Sequence, residues 1–235
     1  MLLNVDVKSL EWYSYVYLSQ DKVAIKEWQE NLDMHQNNQD AFNLPSRLIA
    51  KKFLFRWIYY GSAYAYAHDP QFSTVSTKVS YWEDVIEKYY SKYKGVHNLH
   101  KKLIDTAVRT GKIVSPTGRT YYYKPYLKNG ERVWPKTQIT NHVNQGLGAD
   151  LMSLTRVLLR RKLKEKELKS VTVTSIHDSI VCDCPEIELP IVRQAMIETF
   201  NEVPRNFNEL FKPNIPLTLE YRGEFSCGST KAEHL

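Results

Sequence analysis

The chain has 235 residues, 43% of them hydrophobic, and a formal net charge of +6, which allows one large domain or two intertwined subdomains around a real core. No apolar run is long enough to cross a bilayer, and Asp6 and Lys8 follow Met1-Leu2-Leu3 too closely for a signal peptide, so we expect an intracellular, cytoplasmic protein with no membrane partner. Three cysteines, Cys182, Cys184 and Cys227, are too few and too irregularly spaced for a disulfide framework or a four-ligand zinc site, while the positive charge permits a polyanionic partner without requiring one.

In chain order, Leu2 to Val7 reads as a short strand leading into amphipathic stretches at Leu10 to Tyr17 and Val23 to Leu32. Pro45 stands where a helix would begin, and Ser46 to Tyr60 holds no Gly or Pro, which predicts one uninterrupted helix of about four turns that Gly61 helps to end. After a polar stretch from His68 to Thr77, helical periodicity returns at Tyr81 to Tyr93 and His97 to Thr110. Ile113 to Tyr123 reads as a hairpin turning at Pro116-Thr117-Gly118.

Lys124 to Lys136 reads as a loop, Ile139 to Leu168 as a long helix, and Val171 to Ile176 and Ile180 to Cys182 as two strands around a tight connection. Leu189 to Val203 is a further helix that tolerates Pro190 in its first turn, and Leu217 to Tyr221 is a last strand. The expected fold class is α+β, with an antiparallel sheet drawn from both ends of the chain and a mainly helical insertion between them. A sheet closed in this way brings Asp6 and Asp178 together.

Arg47, Lys51, Phe55 and Tyr59 recur at four-residue steps, so on a helix they form one stripe of two cations and two aromatics. Such a stripe suits a nucleoside triphosphate, whose phosphates the cations neutralise. It equally suits an amphipathic helix with solvated cations and core aromatics. Asp178 lies in an acidic turn between apolar strand residues, and Asp6 within the first strand; either alone is more often a turn former or a paired charge, but together they can hold two divalent ions.

These segments resemble the family A, DNA polymerase I-like, DNA polymerases. Asp6 followed by Glu11 is similar to motif A of that family, Asp33-Met34-His35 to its Asp-Ile-His element, Arg47, Lys51, Phe55 and Tyr59 to the finger helix of motif B, and His177-Asp178 to motif C. Asn141 and Gln145, followed by Gly146 and Ala149-Asp150, resemble its Asn/Gln helix. Departures are Ser179 where motif C commonly ends in Glu, Arg56 where a Gly is common, Tyr60 before Gly61, Thr137 in place of a basic residue, and a short stretch between His35 and Arg47.

The resemblance implies a polymerase palm over residues 1–15 and 133–235 and fingers over 16–132. It implies a template-directed DNA polymerase core with primer-template DNA and dNTPs as partners. Asp6, Asp178 and the backbone carbonyl of Val7 would hold two Mg²⁺ ions. Lys51, Arg47 and His35 would meet the triphosphate, with Lys51 also counted in the catalytic set beside the two acids; Glu11 would exclude a ribose 2′-hydroxyl, Phe55 would lie along the sugar and Tyr59 beside the nascent base pair.

Asn141, Gln145 and His177 would contact DNA. Motif A stands at the start of the chain, so the expectation is a second polypeptide carrying thumb and 3′-5′ exonuclease, in a split, phage-like enzyme of the bacterial cytoplasm. Two other readings stay open: a single-subunit phage-type RNA polymerase, which shares the His-Asp-Ser form of motif C but lacks the crowding by Glu11, and a polymerase fold that binds nucleic acid without catalysis. The basic run Arg156 to Lys166 and the cluster Tyr121-Tyr122-Tyr123 read as a solvated helix face and as strand packing.

Overall fold

The computed structural model of the chain describes residues 1–228; the last seven residues of the segment 133–235 lie outside them. In chain order the elements are β1 (Leu2–Val7), α1 (Leu10–Ser19), α2 (Lys22–Gln29), α3 (Met34–Phe42), α4 (Arg47–Ile58), α5 (Ala63–His68), α6 (Pro70–Ser73), α7 (Val79–Lys92) and α8 (Lys94–Thr110). They continue as β2 (Lys112–Val114), β3 (Thr120–Tyr122), β4 (Tyr126–Lys128), β5 (Glu131–Val133), α9 (Lys136–Glu165), β6 (Val171–Ile176), β7 (Ser179–Asp183), α10 (Leu189–Phe211) and β8 (Gly223–Gly228). The fold is α+β, mostly helical with antiparallel sheets.

Two compact units divide the chain. The first takes Met1–Tyr13, Pro116–Gly118 and the residues from Gly146 onward; the second takes Ser14–Ser115 and Arg119–Gln145.

The first unit is built on a four-stranded antiparallel sheet in the order β6-β7-β1-β8, so the opening strand is flanked by two strands from the far end of the chain. Alternation along β1 buries Leu3, Val5 and Val7 on one face. Phe200 of α10 packs on that face: a Cβ added to Gly223 would lie 2.7 Å from Val5 Cγ2 and 2.8 Å from Phe200 Cε1, which is why glycine opens β8.

Two expectations are corrected in this unit. Leu217 to Tyr221 is not a strand, although Leu217, Leu219 and Tyr221 are buried in alternation. Its backbone bonds to side chains in place of a ladder: Asn208 brackets the two main-chain groups of Leu217 at 2.7 and 2.9 Å, and Tyr13 donates to the Leu219 carbonyl at 3.1 Å. The ladder partner of β1 is β8, two residues further on. The last helix also does not stop at Val203; it runs through Pro204 to Phe211. An interior proline costs about 3 kcal/mol, and burial of Val203 and Phe207 on the same stripe offsets it.

In the second unit, α4 buries Ala50, Phe53, Leu54, Trp57 and Ile58, a stripe of the 3.6-residue period. Phe53 stacks on Tyr66 at 4.5 Å, and Trp57 meets Tyr89 and Tyr90 at 5.2 and 5.1 Å. The helix ends two residues earlier than Tyr60, at Ile58, because its carbonyls find other donors: Tyr60 N–H bonds Trp57 O and Gly61 N–H bonds Arg56 O, the pairing of a Schellman cap. Tyr60, not Gly61, takes the left-handed conformation, with φ 62°. Gly61 is needed for space: a Cβ there would stand 2.5 Å from Arg56 Cγ and 2.8 Å from Arg56 O. Both Tyr15 and His100 donate to the terminal Ile58 carbonyl.

Three more elements depart from expectation. The stretch from His68 to Thr77 is not simply polar coil: it contains the end of α5 and all of α6, helices capped by Ser62 and Asp69 and held by buried Tyr66 and Phe72. Met34–Phe42, a stretch to which the sequence assigns no element, forms α3, whose buried Asn38 accepts from Lys92 and Tyr93 at 2.7 and 3.0 Å. Lys124 to Lys136 is no loop, since β4 and β5 pair across Asn129-Gly130, both at positive φ (52° and 82°), the two-residue hairpin turn.

Candidate active site

In the first unit, Asp6 lies opposite Ser179 in the β1–β7 register, and Asp178 is the neighbour of Ser179 in the β6–β7 turn. Val7 N–H donates to the Asp178 carbonyl at 2.8 Å, so the main chains that carry the two acids are hydrogen-bonded at that point. Strand spacing then sets the two Cα atoms roughly 6 Å apart. Both acids are half-buried. The turn is a two-residue loop, His177-Asp178, in which exposed His177 takes φ 53°, an unfavourable conformation for a residue with a Cβ.

Asn4, two residues before Asp6 on the same strand, donates its amide to Asp6 Oδ2 at 2.6 Å. Sequence reasoning passed over it; the signal was a polar residue in step with Asp6 on an otherwise apolar strand. Tyr221 is buried beneath this region, and burial, with the Asp178 charge adding to it, raises its hydroxyl pKa. Glu11 is half-buried in the first turn of α1.

These donors fit a hard divalent cation. Among the described residues no group of three or more His, Cys, Asp or Glu is assembled to hold a metal. Mg²⁺ does not need one, because it is held by one or two carboxylates together with water and substrate phosphate.

In the second unit, α4 turns its buried stripe inward and leaves Arg47 and Lys51 exposed and Phe55 and Tyr59 half-buried. The core aromatics of this helix are therefore Phe53 and Trp57, and the four stripe residues form its other side. Asp33, which caps α3, also pairs with Arg47 at 2.7 Å. The hydrogen bond from Arg47 holds the Asp33 carboxyl below its usual range. His35 sits with its ring 6.1 Å from that of Phe55. Burial, and then the charges of Arg47 and Lys51, lower the His35 pKa to about 4, so its ring is neutral at physiological pH. The fold thus gathers His35, Arg47, Lys51 and Phe55.

Lys51, Phe55 and Tyr59 line an open cleft of about 1330 Å³, closed on another side by Lys124, Tyr126 and Trp134. The hairpin residues of this cleft were not anticipated; Asn129-Gly130 between alternating residues was the available signal. Asn141 and Gln145 are one turn apart on α9, half-buried and exposed. Among the described residues, the buried Asn141 Oδ1 has no hydrogen-bond partner.

The first unit thus carries Asp6 on β1 and Asp178 in the β6–β7 turn on main-chain segments joined by a hydrogen bond, and the second unit carries α4 with cations and aromatics on one side; carboxylates and cationic side chains are the groups that phosphoryl transfer employs. The chain belongs to DNA polymerase family A: the model of that family matches residues 1–224.

Among curated relatives, DNA polymerase I of Caldicellulosiruptor bescii is 24% identical over 241 residues, covering 98% of this chain and 27% of that protein. The DNA polymerase of Mycobacterium phage L5 is 29% identical over 188 residues, covering 80% of this chain and 29% of that protein. The chain therefore spans a little over a quarter of the length of these relatives. The POL domain of Pol1 from M. smegmatis, solved in complex with DNA primer-template and dNTP, superposes with a TM-score of 0.81 at 18% identity, covering 97% of this chain and 39% of that one, and so shares the fold. No helix among the described residues is long and apolar enough to cross a membrane.

Proposed function

We propose that the chain is the palm and fingers of a DNA-directed DNA polymerase, adding deoxynucleotides to a primer 3′-hydroxyl on a DNA template. The observation that carries this reading is the placement of Asp6 and Asp178 on neighbouring main-chain segments tied by the Val7–Asp178 hydrogen bond. Family membership supports it, and favours it over an RNA polymerase.

Asp6 and Asp178, with the Val7 carbonyl, are the residues that would hold two Mg²⁺ ions, which when bound supply charge neutralisation at the phosphates and activation of the 3′-hydroxyl. Glu11 crowds the place of a ribose 2′-hydroxyl and thereby selects deoxynucleotides. Lys51 and Arg47 neutralise the triphosphate, Arg47 leaving its pairing with Asp33 to do so. Neutral His35 serves as a hydrogen-bonding group there and not as a cation. Phe55 offers its ring to the sugar and Tyr59 to the nascent base pair, while Asn141, Gln145 and His177 contact primer and template.

The two carboxylates alone do not distinguish a working enzyme from a nucleic-acid-binding subunit. Primer extension with Mg²⁺ and the four dNTPs, using the chain purified with whatever polypeptide accompanies it, tests this. Extension that Asp178→Ala abolishes is the expected result; extension untouched by Asp178→Ala removes the catalytic role.

A further inference from the structure

We propose that Asn4 is a positioning residue for the Asp6 carboxylate, fixing the orientation in which that group meets a divalent cation. This rests on the reading of Asp6 as a metal-binding residue. Asn4 and Asp6 stand two residues apart on β1, so their side chains leave the same face of the sheet. The Asn4 amide nitrogen donates to Asp6 Oδ2 at 2.6 Å, and lies 3.4 Å from the hydroxyl of Ser226, its cross-strand partner on β8.

Asn4 is only 8% exposed, and its other amide atom, Oδ1, is buried with no hydrogen-bond partner among the described residues. A buried, unpartnered carbonyl detracts from stability, so folding alone would favour an apolar side chain here. Turning the amide over would set Oδ1 against the Asp6 carboxylate, acceptor against acceptor. The donor is therefore held toward Asp6. A neutral donor on one carboxylate oxygen leaves the negative charge intact while removing the rotations that a loose ligand must give up on binding.

Mn²⁺ is the probe, since it takes the same oxygen donors and its free form is read by electron paramagnetic resonance. Wild type, Asn4→Leu, Asn4→Ser and Asp6→Asn are titrated with Mn²⁺ and, separately, unfolded thermally in chelator. Both Asn4 variants are expected to bind Mn²⁺ more weakly by roughly tenfold or more, the scale of losing a partner that orients a ligand. Asn4→Leu, freed of the unpartnered carbonyl, is expected to unfold in chelator at a temperature no lower than wild type.

Unchanged Mn²⁺ affinity in the Asn4 variants, with loss in Asp6→Asn, overturns the positioning role and leaves the metal reading of Asp6 standing. No Mn²⁺ binding by wild type, or binding untouched by Asp6→Asn, overturns both. Should Asn4→Leu misfold, Asn4→Ser decides by the same criterion: weaker binding supports the role and unchanged binding refutes it.

Discussion

Val7 and Asp178 share a main-chain hydrogen bond of 2.8 Å, and through it the strand of Asp6 and the turn of Asp178 are fastened together. Because the bond uses backbone atoms, isosteric Asp6→Asn and Asp178→Asn leave it in place. Each variant is expected to fold as wild type and to lose nucleotide addition by at least about 10³-fold, the scale of removing preorganised charge at a reacting centre. Single-turnover extension of a labelled primer, with circular dichroism as the control for folding, measures both.

The Glu11 assignment leads to a different kind of outcome. Glu11→Ala is expected to raise ribonucleotide relative to deoxynucleotide incorporation, by about tenfold or more, since the wild-type side chain acts through exclusion. Competition between the two nucleotide types on one template reads the ratio, and a ratio equal to wild type withdraws Glu11 from the gate.

Phe55 is half-buried on the cationic side of α4, away from the packed Phe53 and Trp57. Phe55→Tyr adds a hydroxyl on that side without touching the core, and dideoxynucleotide incorporation is expected to rise by on the order of tenfold against the natural nucleotide. An unaltered ratio would show that another residue of the stripe faces the sugar.

His35 and His100 both carry pKa values lowered to about 4 by burial, against about 6.5 for an exposed histidine. Below pH 6.5 the unfolded chain takes up protons that the folded chain refuses, so these residues favour folding above pH 6.5 and that contribution is lost progressively as pH falls toward 4. Urea unfolding between pH 4.5 and 7 should show stability rising with pH, and His100→Gln should flatten the slope by up to one proton. An identical slope in wild type and variant refutes the assignment.

At the end of α4, Tyr60 is left-handed and Gly61 is crowded. Tyr60→Gly is expected to stabilise by about 1 kcal/mol through relief of the left-handed backbone. Gly61→Ala is expected to destabilise by roughly 1–3 kcal/mol, because the added Cβ meets backbone as well as side chain of Arg56. Thermal unfolding compares them; equal melting temperatures for the two variants would contradict this cap geometry.

Much of the molecule was legible in its residues because the signals were local. β1 follows from an apolar run whose alternation is real, the β2–β3 hairpin from Pro116-Thr117-Gly118, and the α4 stripe from a four-residue step. The missed elements had signals too weak to outweigh composition. Helix α3 is polar throughout its middle, and its inward face includes Asn38, whose burial makes sense only beside Lys92 and Tyr93 from far along the chain. The expected helix stops at Val203, just before Pro204, and the burial of Phe207 carries it on to Phe211.

The amino-acid sequence by itself marked the candidates for chemistry, Asp6, Asp178 and the cationic and aromatic stripe from Arg47 to Tyr59, and set out the order of motifs that resembles the family. Periodicity and residue type are properties of a linear chain, so they can be read from it. Only the tertiary structure decided that β8 and not Leu217 to Tyr221 flanks the opening strand, that Phe55 and Tyr59 lie off the core while Phe53 and Trp57 fill it, and that Asn4 bonds Asp6. These depend on which buried groups find partners across long separations, and hydrogen-bond satisfaction and packing are set by neighbours in space.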